Sequence, residues 1–329
     1  MILNSIELRK RGHKVFIACV KDSPAYKVLA KEGFEIVEID EEKPLSSAKI
    51  IRKFLKKNSI DIVHTNHSKG HKIGLYALLF RKKEKLVVQR SVLFPTTNVF
   101  KYLNPRINKF IANSQAVKDV MVRHFVKKSK ISVIYSATDK NQFLDFDRDS
   151  IRQKLDFKDK FVFGIVGNYS EYKGHDLLLS AFADLNKNNA MLVMIGKDTE
   201  KLSDKVNKLG IKDSVKILSF RKDAKRIMKG FDFLVIPSFK ESFPNVAIEA
   251  FFMKVPVIGT KVGGIPELLS DNRGILCDSN VESLHNALLS ALVADKDKII
   301  NNAYGFACKN LTIKNKVDKL EKLYMDLVV

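Results

Sequence analysis

Cysteine is scarce in this 329-residue chain: Cys19, Cys277 and Cys308 are the only three. They lie far apart and in no metal-ligand spacing. That leaves neither a disulfide framework nor a cysteine zinc site, and they read as free thiols in a reducing cytoplasm. No stretch approaches ~20 uninterrupted apolar residues, so no transmembrane helix is expected. The opening MILNSIELRKRGHKV has no apolar core with a cleavage site behind it, so it does not read as a signal peptide. There is no low-complexity segment and no internal repeat at the scale of roughly 20–50 residues. Acidic residues are in deficit. Lys and Arg number 58 against 37 Asp and Glu, a net charge of +21, and +16 of it falls in residues 1–145. Such a basic first half suits an anionic partner: nucleic acid, a membrane face or a phosphorylated acceptor. A generally lysine-rich surface would give the same count. Nucleic acid is set aside, because no binding motif is present and aromatic residues do not interleave with the basic runs.

What is present is a β/α alternation. Short apolar runs at 15–20, 34–39, 60–64, 86–89, 109–113 and 131–135 read as strands, and amphipathic or basic stretches between them read as helices. A charged stretch containing Asp145 and Asp147 reads as a linker. The alternation resumes with strands at 161–166, 191–195, 215–218, 233–236 and 255–258. Helices are expected over 281–293 and 311–327. This is an α/β chain of two domains with parallel sheets.

The most informative stretch is 231–274. Its strand ends at Pro237-Ser238, and two carboxylates follow, Glu241 and Glu249, eight positions apart. Ser242 and Pro244 between them mark a helix start, which puts Glu249 inside the helix and Glu241 in the loop before it. In open α/β sheets ligands bind beyond the carboxyl ends of strands, where free N–H groups at helix starts favour phosphate. A carboxylate one or two turns into such a helix can accept hydrogen bonds from a sugar diol. Two glutamates at this spacing alone would read as solvated surface charges. Here the surrounding frame is also in place: Glu241-Ser-Phe-Pro-Asn-Val-Ala-Ile-Glu249-Ala250, then Val255-Pro256-Val257, then Gly263-Gly264-Ile265-Pro266-Glu267.

That frame resembles family 4 of the retaining glycosyltransferases, which have the GT-B fold of two facing Rossmann-like domains. Lys254 departs from the glycine usual before the Pro strand. The resemblance implies an acceptor-side domain over 1–145, a nucleotide-sugar domain over 146–305, and a terminal helix over 306–329 that returns to the first domain. Arg11-Gly12-His13 matches the end of the family's first helix. The family's first strand and glycine-rich loop have no counterpart before it, which would leave ladder groups open on both neighbouring strands.

Site residues follow by position. Gly167, Asn168 and Lys173 lie in the loop after strand 161–166, where a glycine lets backbone approach a phosphate and a lysine supplies a point cation. Relatives pair that lysine with an arginine at the place of Asn168 or Ser170. Its absence leaves Lys173 alone or supported by Arg221. By resemblance, Glu249 binds the donor ribose and Glu241 holds the donor sugar. Phe243, Pro244 and Asn245 contact sugar and phosphate, and Lys173 neutralises the leaving diphosphate. His67 and His71 follow a strand end and are acceptor-side candidates, as is Arg90, which stands where many relatives carry a histidine. His64, His67 and His71 also have a metal-like spacing, but the family needs no metal and no cofactor.

The implied function is retaining transfer from a nucleotide-sugar, by default a UDP-sugar. The acceptor would be a glycan or lipid-linked acceptor in cell-surface polysaccharide or lipopolysaccharide synthesis. The protein would be cytoplasmic, with peripheral contact to an anionic inner membrane face. Rival readings are a GT-B nucleotide-binding protein without turnover and a GT-B sugar-nucleotide epimerase.

Overall fold

A computed structural model describes residues 1–94, 98–157, 159–185 and 189–328. The chain forms two compact units. One comprises Met1–Ser136 with Ile313–Val329, and the other Ala137–Thr312. The division falls at Ser136 rather than at 145. The intervening segment is tied into the second unit: Thr138 N–H donates to Leu311 O, Phe143 is buried, and Lys225 donates to Gln142.

The first unit contains β1 (Ile17–Val20), β2 (Ile36–Ile39), β3 (Ile62–Thr65), β4 (Lys85–Arg90), β5 (Ile107–Ala112) and β6 (Ile131–Val133). β1 and β2 make one two-stranded sheet, and β3-β4-β5-β6 make a second, four-stranded one. All pairs are parallel. Among the described residues, β1 and β3 each keep one edge without a strand partner. β4 and β5 carry apolar residues towards both faces, as strands covered on two sides do. Leu86, Val88, Phe110 and Ala112 enter one core with Val117 and Met121 of the helix Gln115–Arg123. Val87 and Ile111 enter another with Leu320 and Leu323 of the helix Ile313–Val328. Ser114 caps the helix Gln115–Arg123 as its sequence suggests, its Oγ accepting from Val117 N–H at 3.1 Å.

The second unit holds one six-stranded parallel sheet. Its strands are β7 (Phe161–Val166), β8 (Ala190–Ile195), β9 (Val215–Ile217), β10 (Phe233–Ile236), β11 (Val257–Thr260) and β12 (Ile275–Cys277). The order is β12-β11-β10-β7-β8-β9. The chain starts in the middle, runs to one side through β8 and β9, then returns to β10 on the other side of β7. The topological switch point therefore lies between β7 and β10. Gly164 in β7 is required by packing: a Cβ there would sit 1.9 Å from the Phe231 ring.

Two expectations need correction. The strand placed at 255–258 runs Val257–Thr260, because Pro256 has no N–H to give the ladder and only its carbonyl pairs, with Leu234 N–H. A helix over Lys296–Asn310 also separates the two expected last helices. Its sequence is too polar to show strong apolar periodicity, although Asp295 caps it by accepting from Lys298 N–H at 3.1 Å.

Candidate active site

The loops that follow β7 and β10 meet at the switch point. Gly174 has a left-handed φ of +70°, and a Cβ on it would lie 1.9 Å from the Pro237 carbonyl oxygen. Only glycine serves both requirements. Phe239 N–H then donates to Tyr172 O at 2.8 Å, so the two loops are bonded side by side. This brings Lys173 Nζ to 2.6 Å from Glu241 Oε2. Glu241 sits in the loop before the helix Asn245–Phe252, and its carbonyl accepts from Gly264 N–H at 3.1 Å. The Gly263-Gly264 turn after β11 is thus joined to the same place.

Glu249 lies on the second turn of the helix Asn245–Phe252. Its Oε1 is 2.7 Å from Lys225 Nζ, on the short helix Ala224–Met228. Both glutamates are mostly buried, and both lysines stay close to half exposed. The centre is therefore two carboxylates at one strand-end edge, each neutralised by a half-exposed lysine. Phe243 and Pro244 are buried under this edge, and Asn245 is exposed at the helix start.

The glycine loop is shaped as a close backbone approach. Gly167 N–H donates to Ile195 O at 2.8 Å, and a Cβ at Gly196 would fall 2.0 Å from the Gly167 oxygen. Asn168 Oδ1 accepts from Lys197 N–H at 3.0 Å. Arg221 forks onto Asp223 at 2.8 and 2.7 Å. His175 follows Gly174 and is buried. Desolvation lowers its pKa, and its Nδ1 has no partner, like the Oγ of buried Ser238 after β10. Sequence reasoning missed Lys225, His175 and Ser238. Lys225 stands in a run with Lys222, Arg226 and Lys229, and nothing local distinguishes it.

In the first unit the three clustered histidines separate into three environments. His67 caps the helix Ser68–Ala77, its Nδ1 accepting from Gly70 N–H at 3.3 Å, and its Nε2 lies 3.1 Å from Glu41. His71 is buried edge-on against Tyr102 and Phe110, and burial takes its pKa to about 3. His64 bonds Tyr324 Oη through Nδ1 at 2.5 Å, and burial also takes it to about 3. Among the described residues no three His, Cys, Asp or Glu side chains converge as metal ligands would. Arg90, only 6% exposed, donates to Tyr102 Oη at 2.5 Å and to the Phe94 carbonyl, and stacks its guanidinium on the Tyr102 ring.

Comparison with known proteins decides the lineage. The family described as "Glycosyltransferase Family 4" matches residues 5–142, and "Glycosyl transferases group 1" matches 147–306. The chain belongs to family 4 of the glycosyltransferases. Its fold is GT-B. A solved structure of HepE from Anabaena in complex with UDP-glucose superposes with a TM-score of 0.84 at 21% identity, covering 99% of this chain and 94% of that one. The UDP-Gal:alpha-D-GlcNAc-diphosphoundecaprenol alpha-1,3-galactosyltransferase of Escherichia coli is 28% identical over 316 residues, which is 87% of this chain and 81% of that protein. The N-acetylgalactosamine-N,N'-diacetylbacillosaminyl-diphospho-undecaprenol 4-alpha-N-acetylgalactosaminyltransferase of Campylobacter jejuni is 27% identical over 267 residues, 74% of this chain and 70% of that one. With another relative, the D-inositol 3-phosphate glycosyltransferase of Segniliparus rotundus, the match covers 46% of its length.

Proposed function

We propose that this glycosyltransferase moves a sugar, with retention of anomeric configuration and without a metal, from a UDP-sugar to a lipid-linked glycan acceptor of cell-surface polysaccharide synthesis. The observation that carries the reading is the pair of lysine-neutralised glutamates at the switch point, Glu241 with Lys173 and Glu249 with Lys225. Each carboxylate is compensated by a lysine that is close to half exposed. A ribose diol can take the open oxygen of Glu249, and the donor sugar can take Glu241. Lys173 then turns from the carboxylate to the diphosphate. Its ammonium stabilises the charge that develops as the sugar–diphosphate bond breaks and UDP leaves with the electron pair, an electrostatic contribution to the transition state. The acceptor hydroxyl oxygen forms the new bond to the anomeric carbon from the face the diphosphate leaves, and its proton passes to the departing diphosphate oxygen. The E. coli and C. jejuni relatives are named for acceptors on diphosphoundecaprenol, which supports a membrane-linked acceptor, the setting of a protein at the inner membrane face. UDP as the carrier is supported by the E. coli relative's named donor and by the HepE complex.

The test is calorimetric titration of the protein and of Glu249→Ala with UDP, GDP and ADP. Saturable UDP binding that weakens at least roughly tenfold in the variant is expected, as for loss of a charge-assisted hydrogen-bond acceptor. Equal binding by both proteins would remove Glu249 from the donor site. An assay with UDP-sugar and no acceptor separates transfer from epimerisation, since an epimerase would isomerise the donor alone.

A further inference from the structure

The four-stranded sheet of the first unit is parallel, so every helix-to-strand connection returns to its amino edge. Three of these connections are stitched together there. Arg106 donates to the Leu78 carbonyl at 3.2 Å and to the Glu84 carbonyl, and Lys130 donates to the Ile107 carbonyl at 2.7 Å. Two of them hold a phenylalanine in an unusual state. Phe80 follows the helix Ser68–Ala77 with φ +66°, and Phe125 follows the helix Gln115–Arg123 with φ +65°. Phe125 occupies the helix-ending position where glycine or asparagine is the rule: its N–H donates to Val122 O, and Val126 N–H donates to Met121 O. Most other non-glycine residues with positive φ here are Asp or Asn.

The rings do not repay this strain by packing, since Phe80 is 92% exposed and Phe125 77%. Exposed Leu79 and Leu103 lie on the same edge. Each ring is followed by the same pattern, Phe80-Arg-Lys82-Lys83 and Phe125-Val-Lys127-Lys128, and these four lysines are exposed and in no ion pair among the described residues. The buried carboxylate of this edge, Glu84, is already taken by Arg81.

We infer that this amino edge docks onto an anionic phospholipid surface, with Phe80 and Phe125 entering the headgroup region and the flanking lysines meeting lipid phosphates. Isolated rings on a stitched edge, each beside paired lysines, suit a fluid surface of uniform negative charge. The inference goes beyond the reading of the site: it names a surface that would hold the protein at a membrane, on the edge opposite the strand ends that carry His67 and Arg90.

The test is co-sedimentation of the whole protein with vesicles of phosphatidylcholine alone or mixed with phosphatidylglycerol, without donor or acceptor. Binding should need the anionic lipid and weaken as salt rises. The variant Phe80→Asn/Phe125→Asn should bind roughly tenfold more weakly, with thermal stability equal or raised, because asparagine accepts the left-handed backbone. That pairing of signs separates docking from packing. Unchanged vesicle binding by this variant, or binding lost together with stability, would overturn the inference. So would a concentration-dependent dimer that the variant abolishes, which would give the rings to a second copy. UDP titration of the same samples tests the donor reading separately, since neither ring belongs to the site at the switch point.

Discussion

In the second unit a buried acid is caged by cations, and in the first a set of bases is desolvated without a carboxylate beside it. Asp232, just before β10, accepts from Arg148 at 2.9 Å, Arg152 at 3.1 Å, Lys296 at 3.0 Å and Val162 N–H at 2.9 Å. Burial alone would raise its pKa, but the N–H bond and the surrounding cations bring it below the ordinary carboxylate value. The first unit buries His71 and Lys316, and half-buries His64, beside other basic groups, and none of the three has a carboxylate partner among the described residues. Two sheets built on one β/α alternation thus differ in how burial is compensated. The caged acid ties β10 to β7 beneath the switch point, where the site needs rigidity. The bare bases weigh on the stability of the first unit, since two imidazoles and an ammonium are desolvated there with no carboxylate to offset the cost.

The largest effect should come from opening the cage. Asp232→Asn leaves three cations facing a neutral amide and should destabilise the second unit by about 3–5 kcal/mol. Urea unfolding followed by hydrogen exchange on the amides of β7 and β10 would measure it. A loss spread evenly over both units, or one below about 1 kcal/mol, would mean that the cage does not hold the second sheet together.

The opposite sign is expected in the first unit. Lys316, on the helix Ile313–Val328, is 8% exposed, and burial takes its pKa down to about 8. At neutral pH it is still charged in folded and unfolded chains alike, so the shift is a burden on the folded state. It is relieved only as pH rises from about 8 towards the unfolded value. Lys316→Met keeps the packing stem and removes the ammonium, and should stabilise the first unit by about 2–3 kcal/mol at neutral pH. Destabilisation instead would reveal an anionic partner for this lysine and weaken the contrast between the units.

Neither Asp232 nor Lys316 stood out in the sequence, and the reason is physical. Strands β7 and β10 could be read to the residue because continuous apolar runs need no partner to declare themselves. The position of Glu249 in a helix and Glu241 in a loop was legible because Ser242, Pro244 and the following apolar spacing are local signals. A charge acquires its role only from what folds against it. The cations around Asp232 come from residues more than sixty positions away in either direction. Lys225 meets Glu249 across a helix and a strand, and His64 finds Tyr324 at the other end of the chain. The same limit made His64, His67 and His71 look like one cluster, when β3 and the helix after it turn each ring into a different environment.

The most gradual effect is the acid response of those histidines. His71 is fully buried and its pKa is held near 3, against an ordinary value of 6.5, because burial disfavours the imidazolium and Lys101 and Arg90 lie close by. Between those two values the unfolded chain takes up a proton that the folded chain refuses. Stability therefore falls as pH drops below about 6.5, by roughly 1 kcal/mol per pH unit for this residue. His64 acts in the same direction, since burial and Lys316 hold its pKa down too. In the second unit His175 acts in the same direction alone, and the depressed pKa of Asp232 postpones its protonation to lower pH, so that unit should follow later. Hydrogen exchange recorded from neutral pH towards pH 4, corrected for the intrinsic rate, should show β3 to β6 losing protection before β7 to β11. His71→Phe keeps an aromatic ring against Tyr102 and Phe110 without a titrating nitrogen, and should flatten the response of the first unit. If the two sheets lose protection together in both proteins, their difference in buried charge does not govern their acid stability.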